Sequence, residues 1–192
     1  MKDLLIEHFR EMVPLSDEEI SIILPHLEVK SYKRKEMILH QGQVSKHMRF
    51  VAKGAVHAFT VDERGNERTV QLALGNWWIN DLYSYLTETP SLKNIQAVEE
   101  STLIVLHKAS LETLYKEIPA LSEFWRLKFQ NAYVALQERV YESNRTDAMS
   151  KYERLLKEYP GIDQRFPQFM LASYLGITVE YLSYLRRKRS IS

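Results

Sequence analysis

A glycine stop followed at once by a helix cap, Gly176-Ile-Thr178, splits the last quarter of this chain into two short apolar-striped segments. Few sequence features restrict a fold so closely, because two helices joined this way must cross at a fixed angle. Leu171, Ala172 and Leu175 make the stripe of the first helix. Gly176 ends it, since glycine takes the left-handed conformation that a helix C-terminus favours. Ile177 fills the gap, Thr178 is a good N-cap for the second helix, and Leu182 and Leu185 face inward. Ala172 is small where the two helices approach. The pattern predicts a helix-turn-helix, which presents its second helix to the major groove of DNA. A helical hairpin inside a core is the plainer alternative.

The charge distribution suits the first of these. The 192 residues carry a net charge of +1, but the stretch from Arg145 to Ser192 has nine Lys/Arg and five Asp/Glu, leaving −3 on the first 144 residues. A basic tail on an acidic body fits phosphate contact by the tail alone. The run Arg186-Arg-Lys-Arg189 would equally suit the negative end of a helix dipole. Thr178, Val179, Glu180, Ser183, Tyr184 and Arg187 are the outward positions of the second helix. Glu180 could accept from cytosine N4, Val179 could touch a thymine methyl and Ser183 could bond either base edge. Tyr184 could bond a phosphate. Arg186, Arg187, Lys188 and Arg189 are expected on phosphates, with Arg165 and Gln168 fixing register through the backbone.

The preceding residues divide by hydrophobic period. Leu4, Leu5, His8, Phe9 and Met12 fall at helical spacing, and Ser16-Asp-Glu-Glu19 is a capping box opening a second helix with Ile20, Ile23 and Leu24 inward. From Leu27 to about Leu106, short apolar or alternating segments recur between turn signals at Gly42, Gly54, Asp62–Asn66 and Gly75. Strands at this spacing predict a β-barrel or sandwich. Helical spacing returns at Lys108, and a long helix is predicted from about Ala120 to Glu142. Its stripe of Trp125, Phe129, Ala132, Leu136 and Val140 reads either as core packing or as a dimer seam. Asn144-Arg-Thr-Asp147 reads as a hinge, with Thr146 or Asp147 capping the next helix.

Several function classes drop out. The chain has no cysteine, which removes disulfides, iron–sulfur clusters, thiolate zinc sites and cysteine nucleophiles. No run approaches the ~18 apolar residues of a membrane span. The first ten residues lack the apolar region of a signal peptide, so a cytoplasmic location is expected. Six histidines (8, 26, 40, 47, 57 and 107) are scattered, and no phosphate loop or nucleophile elbow appears. Neither a metal site nor an enzyme is expected.

The order of barrel, long helix and helix-turn-helix resembles the bacterial Crp/Fnr-type transcription regulators over nearly the whole chain. The residues that carry the resemblance are Gln41-Gly42, Arg49-Phe-Val-Ala-Lys-Gly54-Ala-Val56, the Asp62–Glu67 turn, Leu74-Gly75 and, most specifically, Leu171 to Ser183. It implies an α+β fold in three parts. Residues 1–118 would form an antiparallel β jelly-roll barrel of cyclic-nucleotide-binding type with N-terminal helices. Residues 119–143 would form a central dimerisation helix, and 144–192 an all-α helix-turn-helix domain. Many relatives add a β wing, for which a chain stopping at Ser192 leaves no room. The partners implied are double-stranded DNA, a second copy of the chain, RNA polymerase and a small-molecule effector. No cofactor is expected.

The family's nucleotide binders carry a phosphate-binding cassette after the Gly75 position, with an acid for the ribose and an arginine for the cyclic phosphate. Here those positions fall near Asn80 or Asp81 and near Ser91, and no arginine occurs between Arg68 and Arg126. Lys93 is the only cation in the stretch, and lysine is a poorer substitute for a guanidinium fork. The helix hydroxyls that would face adenine fall near Leu136 and Gln137. A response to cyclic AMP is therefore not expected. Trp77, Trp78, Tyr83 and Tyr85 could line an aromatic pocket for another effector, or fill the cassette region as packed core. An alternative function is a small-molecule sensor or protein-interaction module that has lost DNA binding.

Overall fold

The computed structural model describes residues 1–143 and 147–191. The N-terminal helices are α1 (Lys2–Arg10) and α2 (Asp17–Ile23). Ser16 accepts from the Glu19 amide while Glu19 reaches back to the Ser16 amide, which is the predicted capping box. Leu5, Ile6 and Phe9 are the buried residues of α1; Leu4 turns to solvent at 38% exposure, so the apolar stripe runs one residue later than the spacing suggests.

Eight strands follow: β1 (Leu27–Tyr32), β2 (Met37–Leu39), β3 (His47–Lys53), β4 (Ala55–Val61), β5 (Glu67–Leu74), β6 (Trp77–Trp78), β7 (Asn94–Ala97) and β8 (Ser101–His107). The short helix α3 (Leu82–Thr87) interrupts them. They form two four-stranded sheets, β1-β8-β3-β6 and β2-β7-β4-β5, with every pairing antiparallel. Eight strands in two facing sheets is the jelly-roll solution to unpaired edges. Val51, Val56, Ala58, Ala73, Ile79, Ile95, Leu103 and Val105 fill the space between them. The Asp62–Asn66 hairpin is held by the Asp62 carboxylate, which accepts from the Arg64 and Asn66 amides. Gly54, at the corner between β3 and β4, has φ +104, and a Cβ there would lie 2.6 Å from the Ser101 Cα.

Strands β4 and β8 are buried almost end to end because both of their faces are covered. On β8, Leu103 and Val105 point into the barrel; Ile104 and Leu106 point out, against α1, α4 (Lys108–Glu117) and α5 (Pro119–Ser143). On the other sheet, Ala55, Leu72 and Val98 point out against the C-terminal helices α6 (Ala148–Glu158), α7 (Ile162–Arg165), α8 (Gln168–Leu175) and α9 (Val179–Ile191).

The stripe of α5 has two destinations. Trp125 is 3% exposed and Phe129 packs beside it on the barrel's core, whereas Leu136 and Val140 are exposed at 57% and 54% and Ala132 is exposed. Trp125 is thus core packing, not part of an open seam. The hinge residues Asn144, Arg145 and Thr146 lie outside the described residues. Asp147 caps α6 by accepting from the Met149 and Ser150 amides.

Candidate functional site

Two regions carry chemistry, the α8–α9 pair and the α3 side of the barrel. Gly176 ends α8 at φ +72, and the Ile177 amide donates to the Ala172 carbonyl at 3.0 Å. Thr178 Oγ1 then accepts from the Tyr181 amide at 3.2 Å as the cap of α9. Leu171, Ala172, Leu182 and Leu185 are buried between the two helices and α6. That packing leaves Thr178, Val179, Glu180, Tyr184, Arg187, Lys188 and Arg189 exposed on one side.

Four of the residues predicted to make contacts are already engaged. Gln168 Nε2 donates to the Ser183 hydroxyl, which itself donates to the Val179 carbonyl at 3.0 Å. Arg186 lies 3.9 Å from Asp163. Arg165 pairs with Glu99 of the barrel, which raises its pKa, and does not face outward with α9. The sequence reading also missed two aromatics. Tyr181 is 46% exposed and stacks on Tyr184 with ring centroids 6.0 Å apart, and Phe169 on α8 is 52% exposed. The three-residue step from Tyr181 to Tyr184 was the available signal, since it puts both on one helical face.

The α3 side is built around a buried carboxylate. Asp81, 2% exposed, caps α3 by accepting from the Ser84 amide at 3.4 Å. Its other oxygen accepts from the Ser91 hydroxyl at 2.7 Å, and Lys93 Nζ lies 3.6 Å away. Arg49, 4% exposed, donates to Ser45 Oγ and to the His47 carbonyl, and its amide donates to Asn80 Oδ1. Burial pulls the Arg49 guanidinium down to about 10, against the opposing pull of Tyr32 and Asp81. Arg49 is a cation in this region that lies outside the cassette stretch, so counting along the sequence does not find it.

Of the two readings of the four aromatics, a shared pocket or packed core, Trp78 and Tyr85 follow the second. Adjacent residues on a strand point to opposite faces. Trp78 joins Phe9, Phe50 and Trp125, and Tyr85 is buried in the same core. Trp77 instead meets Tyr159, the C-cap of α6, edge-on at 4.3 Å. Tyr83 is 66% exposed. Trp78, Asn80, Tyr83, Lys93 and Leu136 do share a cleft of about 1050 Å³ between the barrel, α5 and the C-terminal helices. Trp77, Asp81 and Gln137 are not in its wall; Gln137 donates to the Tyr133 hydroxyl.

Histidines 47 and 107 face each other across β3 and β8 with ring centroids 5.0 Å apart. No third ligand joins them: among the described residues no group of three His, Cys, Asp or Glu could hold a metal ion. No helix among them is long and apolar enough to cross a membrane.

Residues 29–117 match the family described as cyclic nucleotide-binding domain. The chain is 25% identical over 173 residues to the cyclic AMP receptor protein of Thermus thermophilus, covering 88% of this chain and 80% of that one. Among solved structures, it is similar to the c-di-GMP-responsive global regulator CLP of Xanthomonas campestris at TM-score 0.70, with 12% identity over 92% of each chain. It is also similar to FixK2 of Bradyrhizobium japonicum at TM-score 0.67 and 17% identity, covering 84% of this chain and 83% of that one. The chain therefore has a cyclic-nucleotide-binding-type sandwich followed by helices, an α+β fold shared with Crp/Fnr-type regulators.

Proposed function

We propose that this chain is a DNA-binding transcription regulator of the Crp/Fnr type that reads the major groove as a homodimer. The observation that carries this reading is the α8–α9 pair, a helix-turn-helix in our reading, whose buried side holds Leu182 and Leu185 while Thr178, Val179, Glu180, Tyr184 and Arg187 stand free of the core. The N-terminal part of such a helix faces base edges. Val179 and Glu180 then read bases and Tyr184 a base or phosphate, while Arg187, Lys188 and Arg189 hold phosphates. Arg186, near Asp163, steadies α9 before it meets DNA. Gln168 and Ser183 act together, since their mutual hydrogen bond must open before either meets a base edge.

On this reading residues 1–118 are the effector domain, 119–143 the dimerisation helix and 144–192 the DNA-binding domain. The seam uses the exposed half of α5. Phe129, Tyr133, Leu136 and Val140 recur at steps of four, three and four, the heptad spacing of a coiled coil. Tyr133, Leu136 and Val140 are more than half exposed and so leave apolar surface on this face.

Cyclic AMP is not the effector in this reading. A cyclic phosphate entering beside α3 would meet the Asp81 carboxylate, which already takes the Ser91 hydroxyl and the Ser84 amide. Like charges this close, out of water, are strongly unfavourable.

Selection from a random duplex library, followed by fluorescence anisotropy on the selected sequence, tests the main reading. We expect binding by a dimer to a two-fold symmetric site, weakening steeply with salt. A folded dimer that enriches no sequence and binds duplex without salt dependence would falsify it.

A further inference from the structure

The first two turns of α9 hold no side chain suited to guanine. Guanine presents two acceptors, N7 and O6, to the major groove, and a bidentate contact to them needs Arg or Lys; adenine is read in the same way by Asn or Gln. None of these four residue types occurs from Ile177 to Leu185. The Gln168 amide, across on α8, is turned onto α9 itself, with Nε2 on the Ser183 hydroxyl and 3.4 Å from the Val179 carbonyl. Ser183 donates to that same carbonyl, and Thr178 Oγ1 caps the helix. What stands outward is apolar apart from one carboxylate. Val179, Tyr181 and Tyr184 are 38%, 46% and 49% exposed, and Glu180 is exposed among them. The two tyrosine rings lie within 10° of parallel, so Tyr181 holds the Tyr184 ring in place. Residues four apart share a helical face, which sets Tyr184 beside Glu180. The cations begin only at Arg186.

We propose that α9 recognises thymine through its 5-methyl group. An A·T pair sets this methyl in the major groove, an apolar feature that G·C lacks. Val179 and the Tyr184 ring pack on such methyls, Tyr181 braces the ring, and Glu180 accepts from the amino group of a neighbouring cytosine. A tyrosine hydroxyl supplies one donor at the tip of the ring, not a fork, so it does not replace the missing guanine contact. Arg187, Lys188 and Arg189 hold phosphates farther along, so base choice and electrostatic affinity come from different stretches of one helix. The preferred half-site is therefore thymine-rich where the N-terminal turns of α9 enter the groove, and no guanine is fixed there through N7 and O6. The proposal rests on the DNA-binding reading and names the base chemistry that this surface selects.

The test takes the duplex that the full chain selects from a random library and replaces its thymines one at a time by deoxyuridine, which removes only the 5-methyl and leaves base pairing intact. Thymine should dominate at least one position of each half-site. By fluorescence anisotropy, deoxyuridine there should weaken binding about fourfold, and about fifteenfold when placed in both half-sites. Tyr184→Ala and Val179→Ala should each abolish the penalty at one thymine, whereas Tyr184→Phe, which keeps the ring, should retain it. Val179→Ala alone serves if thermal melts show Tyr184→Ala unfolded. The proposal fails, with DNA binding left standing, if deoxyuridine is tolerated at every thymine, if guanines alone specify the half-site, or if neither Ala variant removes a penalty. It fails too if Tyr184→Phe binds as weakly as Tyr184→Ala, because the hydroxyl would then be held on a phosphate. A folded dimer that enriches no sequence overturns both this proposal and the DNA-binding reading.

Discussion

The Ser91 hydroxyl donates to the buried Asp81 carboxylate at 2.7 Å, and this bond organises the α3 side of the barrel. Ser91 also accepts from the Lys93 amide, so one hydroxyl joins the loop before β7 to the cap of α3. Replacing Asp81 by Ala would leave the Ser84 amide without its acceptor and Lys93 without its counter-ion, while the Ser91 hydroxyl keeps only the Lys93 carbonyl as acceptor. We expect a loss of about 1–3 kcal/mol in urea unfolding. Asp81→Asn keeps the acceptor oxygen and should lose less. Equal losses for the two would show that the carboxylate's bonds are not what matters there.

Gly54 and Gly42 both have positive φ, at +104 and +89, yet they differ in surroundings. A methyl group at Gly42 meets open space, and one at Gly54 runs into the Ser101 backbone. Gly42→Ala should cost about 1 kcal/mol from conformation alone. Gly54→Ala should cost at least about 2 kcal/mol more, because the β3–β4 corner must shift. Denaturant midpoints for the two proteins compare them directly, and similar values would mean that the corner yields easily.

The legible parts of this fold were those set by local chemistry. The Ser16 capping box, the Asp62–Asn66 turn and the Gly176–Thr178 junction each need only neighbouring residues, and each forms as read. Features that depend on distant packing were harder. Nothing near Trp125 in sequence says that Trp78 lies beside it while Leu136, on the same stripe, is more than half exposed. Whether Trp77 and Trp78 share the same surroundings was not readable because a two-residue strand is too short to display its alternation. Arg49 entered the α3 region from a strand over thirty residues earlier, a proximity set by sheet topology alone.

The divided stripe of α5 makes a prediction with two distinct outcomes. Leu136→Glu places a charge on the exposed half and should convert dimer to monomer in sedimentation velocity, with the fold intact. Trp125→Ala empties a core site and should cost about 3–5 kcal/mol of unfolding free energy. If Leu136→Glu remains dimeric, the seam lies elsewhere.

The basic end of α9 should show itself in salt dependence. Each phosphate contact contributes about 0.9 to the slope of log affinity against log salt. Arg187→Ala with Arg189→Ala removes two contacts per protomer and should therefore flatten the dimer's slope by roughly 3.6. Arg165→Ala should leave it unchanged, because that guanidinium pairs with Glu99 on the barrel. A slope that responds to Arg165 instead would place the DNA against the barrel side.

His47 gives the barrel a defined acid response. Burial, then Arg49, Lys30 and His107, hold its pKa down at about 4 from an ordinary 6.5, with Glu28 opposing them. The neutral ring is the form the fold accepts, so between these two values the unfolded chain binds the extra proton. Unfolding free energy therefore rises with pH across this window, and His47's share is complete above 6.5 and lost as pH falls towards 4. A shift of this size corresponds to at most about 3 kcal/mol. His8 and His57 are also lowered by burial and act in the same direction, so the wild type alone does not isolate His47. The comparison that does is His47→Gln, an uncharged residue of similar size. Its stability should decline less than the wild type's between pH 7 and pH 4.5 in urea titrations. Parallel decline in both proteins would mean that His47 titrates near its ordinary value, and that the pair it forms with His107 is open to water.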